Sequence, residues 1–277
     1  MKNSIRLIAL ATSLALSSFA SPANAGAVLD RVMEAKTLKV ATDANWAPQS
    51  FLNEKNELDG FDVDVAKEIG KRLGAEVEFI TPAWDIITAG NWSGRWDMHV
   101  GSMTPTKARA EMFSFPGIYY YTPAAVGVHK DSKAATLADL EGKVFGATTS
   151  STYEAYIKKD LTIDAEGAPP FEYQLNPGEI RSYETSNTAL DDLRLGDGVR
   201  LDAVVSSLLS FNEAEKAGYP IKVIGDPVFY EPLSVAIERG DDEFAAKIAE
   251  AVKAMHADGT LSKLSQKWYS VDRTTVN

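Results

Sequence analysis

An α/β fold is predicted, on three observations. Short apolar runs with strand-like alternation recur along the chain between segments of helical periodicity. Several of these runs end in polar loops that lead into helix-forming residues. Two such halves follow one another, one around Gly101-Ser102-Met103-Thr104-Pro105-Thr106-Lys107-Ala108-Arg109 and one around Thr148-Thr149-Ser150-Ser151-Thr152-Tyr153-Glu154.

In order, Leu38 to Thr42 alternates as a strand and ends at Asp43, and Asn45, Trp46, Ala47 and Pro48 follow as a loop. Polar residues and Gly60 mark a turn. Phe61, Val65, Ile69 and Leu73 recur every four residues, with Asp62 and Asp64 in the first turn favoured by the helix dipole, and Gly74 closes this helix. Glu76 to Ile80 is a second strand, followed by Trp84, Asp85 and a short helix to Gly90. A third strand, Asp97 to Val100, enters the first loop. There Gly101 and Ser102 let a ligand approach the backbone, Thr106 is the expected N-cap, and Arg109 sits one turn into a helix. A guanidinium beside free helix amides suits a carboxylate; a solvated arginine on a capped surface helix would have the same sequence. In open α/β sheets ligands bind beyond the carboxyl ends of strands, so parallel pairing would converge Asp43/Trp46, Trp84/Asp85 and Ser102/Thr104/Arg109.

The second half opens with an aromatic stretch, Phe113 to Tyr121, and a buried strand, Ala124 to Val128. A short helix over Leu137 to Glu141, ending in a turn at Gly142, precedes a strand over Lys143 to Ala147. Ser151 and Glu154 then have capping-box spacing, which makes this loop either a second anion cradle or a plain helix start. Residues 164–181 read as a surface loop insertion. Asp202 to Ser206 is a strand ending at Ser207, Lys222 to Gly225 is a strand broken by Asp226-Pro227, and Leu233 to Ile237 is the last. Phe244 to Met255 and Leu261 to Tyr269 are amphipathic closing helices.

The 277 residues suffice for two domains and a substantial core. Residues 1–25 form a secretory signal peptide: Lys2 and Arg6, then an apolar Ile8 to Ala20, then Ala23-Asn24-Ala25 before Gly26. An exported, periplasmic protein is therefore expected, and the absence of cysteine removes both disulfides and a lipid-anchoring thiol. Without the signal, 26 Lys+Arg face 39 Asp+Glu, a net charge of −13 that disfavours nucleic acid. His99, His129 and His256 have no ligand spacing, so no metal is expected; His99, within a strand, reads as a packed residue. Phosphate loops, dinucleotide fingerprints and serine triads are absent, and no cofactor is expected.

Taken together and in this spacing, several segments resemble the family 3 extracellular solute-binding proteins of polar amino-acid ABC transporters. They are Leu38 to Asp43 with Trp46, Gly60-Phe61-Asp62-Val63-Asp64-Val65-Ala66, Trp84-Asp85, Met103 to Arg109, Phe113-Ser114-Phe115 before Tyr119-Tyr120-Tyr121, and Leu201 to Val205. Ala257-Asp258-Gly259-Thr260-Leu261 and Lys267-Trp268-Tyr269 complete the set. The resemblance implies a two-lobed periplasmic binding protein (flytrap) fold with two crossover hinge strands. Residues 26–122 plus 230–277 would form one lobe and 123–229 the other. It implies a monomer that binds an amino acid or related zwitterion or cation and delivers it to a membrane permease. Arg109 would bind the ligand carboxylate with Ser102 and Thr104 assisting, Ser151 and Thr152 would contribute from the second lobe, Trp46 and Trp84 would sandwich the side chain, and Asp43 would read a polar or cationic end.

One departure stands out. The family usually places an Asp, paired with the ligand's α-amino group, where this chain has Ser207. A buried ammonium without an anion is costly. Either another acid substitutes, with Glu231 and Asp85 the candidates, or the ligand lacks a free primary amine; two Trp beside an acid also suit an alkylated cation. Two other functions compete. A dehydratase of prephenate-like carboxylates on the same fold would need an acid or base such as Asp43, Asp85 or Glu231. A ligand-binding partner of a sensory receptor would need a signalling protein.

Overall fold

The computed structural model describes residues 26–275, so the expected signal peptide lies outside the described residues. Helix α1 (Ala27–Ala35) leads into β1 (Thr37–Ala41), and a small three-stranded sheet of β2 (Asn45–Trp46), β3 (Ser50–Leu52) and β4 (Leu58–Asp59) follows. This hairpin occupies the stretch whose polar residues suggest only loop and turn; its strands are too short to show a period. Helix α2 (Phe61–Leu73) buries the predicted stripe of Phe61, Val65 and Ile69 completely and ends on Gly74 at φ 69°, the left-handed cap that glycine adopts at no steric cost. Next come β5 (Glu76–Ile80), α3 (Trp84–Thr88), β6 (Met98–Met103) and a single 3₁₀ turn, Arg109–Glu111. The helix expected to open at Thr106 is therefore one short turn, because the strand runs on through Gly101 and Ser102.

The remaining elements are β7 (Phe113–His129), a 3₁₀ turn (Leu137–Leu140), β8 (Val144–Thr148), α4 (Thr152–Ile157), β9 (Glu179–Tyr183), α5 (Ser186–Leu193), β10 (Ala203–Ser207), α6 (Leu208–Lys216), β11 (Ile221–Glu238), α7 (Asp242–Ala257) and α8 (Thr260–Tyr269). Strand β9 extends out of the segment read as a loop insertion. The aromatic stretch and the apolar run after it form one strand, β7. The two separate strands expected after residue 220 are also one, β11. Pro227 does not break it, because residues 225–228 leave the ladder between the pairs Ile224–Val126 and Phe229–Ala124, where a missing N–H costs no bond.

The strands form one sheet in the order β5-β1-β6-β11-β7-β10-β8-β9. β1 is parallel to β5 and β6, β10 and β9 are parallel to β8, and the long antiparallel pair β7–β11 runs between these groups. Helices cover both faces at each end. On one side, α2, α7 and α8 bury Phe61, Ile69, Phe244, Ile248 and Leu261 against Val40, Val100 and Val235. On the other, α4 packs Tyr153 and Tyr156 against Val126, Phe145 and Phe229, and α5 and α6 pack Leu190 and Phe211 on Val204. Burial of a side chain of this size is worth about 1.5–3 kcal/mol, so each end of the sheet has its own hydrophobic anchor. The result is two lobes joined by two crossover strands, as expected.

Candidate ligand-binding site

A small cavity lies between the two lobes, at the carboxyl ends of β1, β5, β6 and β8. Of the predicted site residues, Asp43, Trp46, Trp84, Ser102, Thr104, Arg109, Ser151 and Thr152 line it and Ser207 does not. The three strand-end clusters of the first half converge because β5, β1 and β6 are parallel neighbours. Asp85 is the member that turns away. Its carboxylate accepts from the Ile86 N–H at 2.8 Å, and it faces an outer groove instead.

Arg109 is the one cation among the residues lining the cavity, against the carboxylates Asp43, Glu184 and Glu231. The Thr106 hydroxyl accepts the Arg109 N–H at 3.2 Å, but the turn that follows is capped at Ala108 without a side-chain bond, so Thr106 is not the expected N-cap and Arg109 opens the turn instead of sitting inside a helix. The guanidinium donates to the Thr104 carbonyl at 3.0 Å and to the Ser150 carbonyl at 2.9 Å, and lies 5.2 Å from the centre of the Trp84 ring. Burial pushes its pKa down to about 10, which leaves it charged at neutral pH. Of five N–H donors these two bonds occupy two, so a carboxylate can still be held by the rest.

Ser102 behaves differently from expectation. Its backbone takes φ 60°, its N–H donates to the Tyr119 hydroxyl at 2.9 Å, and its hydroxyl donates to Asp62 at 2.8 Å beside Tyr120 at 2.6 Å. Tyr119 also donates to Asp62 at 2.8 Å. Asp62 is fully buried, and desolvation pushes its pKa up to about 7 against the pull of these two donors. The hydroxyl of Thr104 is likewise engaged, donating to Glu231 at 2.8 Å. Ser102 and Thr104 therefore offer a ligand acceptor lone pairs rather than free donors. Gly101 makes room for a neighbour more than for a ligand: a Cβ there would stand 2.4 Å from Nε2 of His99. His99 is wholly buried, and its pKa is lowered to about 3 by burial, so the ring is neutral.

In the second lobe, Ser151 caps α4 by accepting the Glu154 N–H at 3.2 Å. The reciprocal half of the expected capping box is displaced by one residue, the Glu154 carboxylate accepting from the Ser150 N–H at 2.8 Å. Thr152 and Tyr153 turn inward and donate to Glu231, Tyr153 at 2.6 Å. Glu184, Thr185 and Ser186 complete the wall from the turn between β9 and α5. Sequence reasoning missed these three and Tyr153, since a helix-start pattern at Thr185 is the only local signal.

Ser207 is completely buried and caps α6 through the Leu209 N–H at 3.2 Å, while its hydroxyl shares a 3.0 Å hydrogen bond with Thr122. A strand end that turns directly into a helix spends its serine on the helix amides, which takes this predicted contact out of the wall. Glu231, placed only as a candidate from sequence, is in the wall. It lies on β11 opposite Thr122 and is 2% exposed; burial raises its pKa while Thr152, Tyr153, Thr104 and Arg109 oppose the rise.

Contacts close the cleft from both sides. The Lys107 N–H donates to the Thr162 carbonyl and the Asp164 N–H to that of Pro105, each at 3.0 Å, and Asn187 donates to the Asn45 carbonyl at 3.2 Å. Trp46, carried on the first lobe's hairpin, packs against the second lobe's core around Phe229 and Tyr153. The two tryptophans thus divide the work, Trp84 backing the arginine and Trp46 spanning the lobes.

The sequence profile of the bacterial extracellular solute-binding proteins, family 3, matches residues 38–271. The chain belongs to that family. Among family relatives, the L-cystine-binding protein TcyJ of Escherichia coli (strain K12) is 27% identical over 273 residues, covering 98% of this chain and 95% of the relative. An ancestral arginine-binding protein solved with bound glutamine is 31% identical, with a TM-score of 0.72 over 84% of this chain and 98% of that one. The ancestral amino-acid-binding protein AncCDT-1, described as a precursor of cyclohexadienyl dehydratase, is 29% identical with a TM-score of 0.75 over 87% and 99%. Among the described residues no helix is long and apolar enough to cross a membrane.

Proposed function

We propose that this chain is the periplasmic substrate-binding component of an ABC importer, holding an amino acid or a related zwitterion or cation between its lobes and delivering it to the membrane permease. The carrying observation is a buried, charged arginine in the wall of an interlobe cavity, with three of its donors uncommitted. A ligand carboxylate seated there gains charge-assisted bonds that water cannot compete for. The relatives named for cystine, arginine and an ancestral amino-acid-binding role support the same class. In this reading residues 26–122 and 230–277 form the first lobe and 123–229 the second, the core clusters at the two ends of the sheet supporting that division. Residues 1–25 are removed on export, the mature chain acts as a monomer, and it carries out no reaction of its own.

The test is identification of any small molecule that copurifies with the mature protein, by native and then denaturing mass spectrometry, followed by titration of Arg109→Ala. Truncating one partner of a buried charge pair costs about 2–5 kcal/mol, so affinity should fall by roughly 30-fold or more while the thermal transition stays cooperative. Unchanged affinity would defeat the assignment, and turnover of prephenate would replace it with the dehydratase reading.

A further inference from the structure

We infer that Glu231, on the second hinge strand, is the anchor for the ligand's amino group and therefore restricts this chain to solutes with a free amine; the inference rests on the amino-acid reading above. Four acids come near the cavity and three are unsuited. Asp62 is sealed behind Ser102 with no exposure. Asp43 lines the cavity but is half-buried on the loop after β1, where water can solvate its carboxylate without a ligand cation, and Glu184 stands exposed on the rim. Glu231 lies within the wall at 2% exposure.

Its surroundings match a carboxylate awaiting a cation. Thr104 from the first lobe and Thr152 and Tyr153 from the second donate to it, three hydroxyls converging on one group. A carboxylate offers about four acceptor sites, so one is left. Among the described residues no Lys or Arg nitrogen comes within 4.0 Å of it, although Arg109 is near enough to favour its charge. A buried acid with three hydroxyl donors, a free acceptor site and no ion-pair partner is costly for a fold to keep, and an ammonium placed beside it would offset that cost. Arg109 and Glu231 thus set a guanidinium and a carboxyl group on the lining of one cavity, a pattern that suits a carboxylate and an ammonium on the same carbon.

The neighbouring polar group cannot take the role. Ser207 is linked to Glu231 through Thr122, which hydrogen-bonds the serine and is the cross-strand partner of the glutamate. The serine hydroxyl is committed to the cap of α6, so the acid at this corner of the cavity is the one β11 supplies.

The experiment is calorimetric titration of the mature protein and Glu231→Gln with L-arginine, L-histidine and L-cystine, each beside its amine-acetylated derivative. For whichever of the three binds, the wild type should prefer the free amine by at least 100-fold, and Glu231→Gln should reduce that preference below tenfold by weakening the free amine alone. A variant that keeps the full preference overturns the inference. A wild type that binds acetylated and free forms equally overturns it without use of the variant, and leaves the carrier reading intact. If neither form of any of the three binds the wild type, the pair is made from the solute identified by mass spectrometry, and a copurified solute without a free amine overturns the inference.

Discussion

The two loops that meet at the cleft look alike and are held differently. Each lies where a strand reaches the cleft and carries a serine in the left-handed region, Ser102 within the last residues of β6 at φ 60° and Ser150 just beyond β8 at φ 59°. In the first loop the serine is wired into the core, with N–H and hydroxyl both taken by the buried Asp62–Tyr119–Tyr120 group. In the second the serine is held locally. Its N–H goes to Glu154 of its own helix, and its carbonyl accepts Arg109 from across the cleft. The first loop is thus a fixed wall braced by residues 17 and 40 positions away in sequence. The second can shift with its helix, and its bond across the cleft forms only when the lobes meet.

The largest test of this contrast is pH. Asp62 keeps its proton in the fold, up to about pH 7, after the unfolded chain has lost it near 3.8. Its contribution to stability is therefore greatest below pH 3.8, declines as pH rises to about 7, and is flat above. Between pH 4 and pH 8 the wild type should lose roughly 4 kcal/mol relative to Asp62→Asn, read from denaturant midpoints of both proteins. Parallel pH profiles would show that the first loop is not braced by a buried acid. Next in size, Asp62→Ala leaves the hydroxyls of Ser102 and Tyr119 without their acceptor and should cost about 3 kcal/mol, with weakened solute binding. Glu154→Ala removes the acceptor of the Ser150 N–H and of the Ser182 hydroxyl on β9, together with the Lys158 ion pair, and should cost about 1–2 kcal/mol with affinity little changed. If those two costs came out equal, the distinction between a core-wired and a locally held loop would collapse.

The smallest effect is the most discriminating. Ser150 has an exposed side chain, so Ser150→Gly should only relieve the left-handed backbone and raise stability by about 0.5–1 kcal/mol. Ser102→Gly relieves the same backbone but strips the hydroxyl that joins Asp62 to Tyr120, and should destabilise by about 1–2 kcal/mol. Opposite signs from the same substitution, measured by thermal unfolding, are the expected outcome.

Local pattern made part of this legible. The stripe Phe61, Val65, Ile69 gave α2, and strand ends followed by polar residues gave three clusters that parallel pairing brings together. What stayed hidden depends on distance along the chain. Asp62 reads as a first-turn acid placed for the helix dipole, and only tertiary contact with Tyr119 turns it into a core group. Glu231 meets Thr104 across 127 residues, and no spacing rule reaches that far. The hinge strand carrying it was masked by Pro227, which suggests a break and sits at an irregularity instead. Ser207 shows the reverse error: its position pointed to the ligand, but the helix that starts beside it claims its hydroxyl.

Trp46 has a consequence for watching this protein at work. All five tryptophans belong to the first half or the closing helices, and four of them, Trp84, Trp92, Trp96 and Trp268, pack against first-lobe cores. Trp46 alone among them inserts against the core of the opposite lobe. Any separation of the lobes would move that indole into water and shift its emission to the red, while Trp92, Trp96 and Trp268 keep their surroundings and Trp84, in the cavity wall, reports the cavity itself. The chain thus carries its own optical gauge of cleft opening, and Trp46→Phe supplies the matching blank.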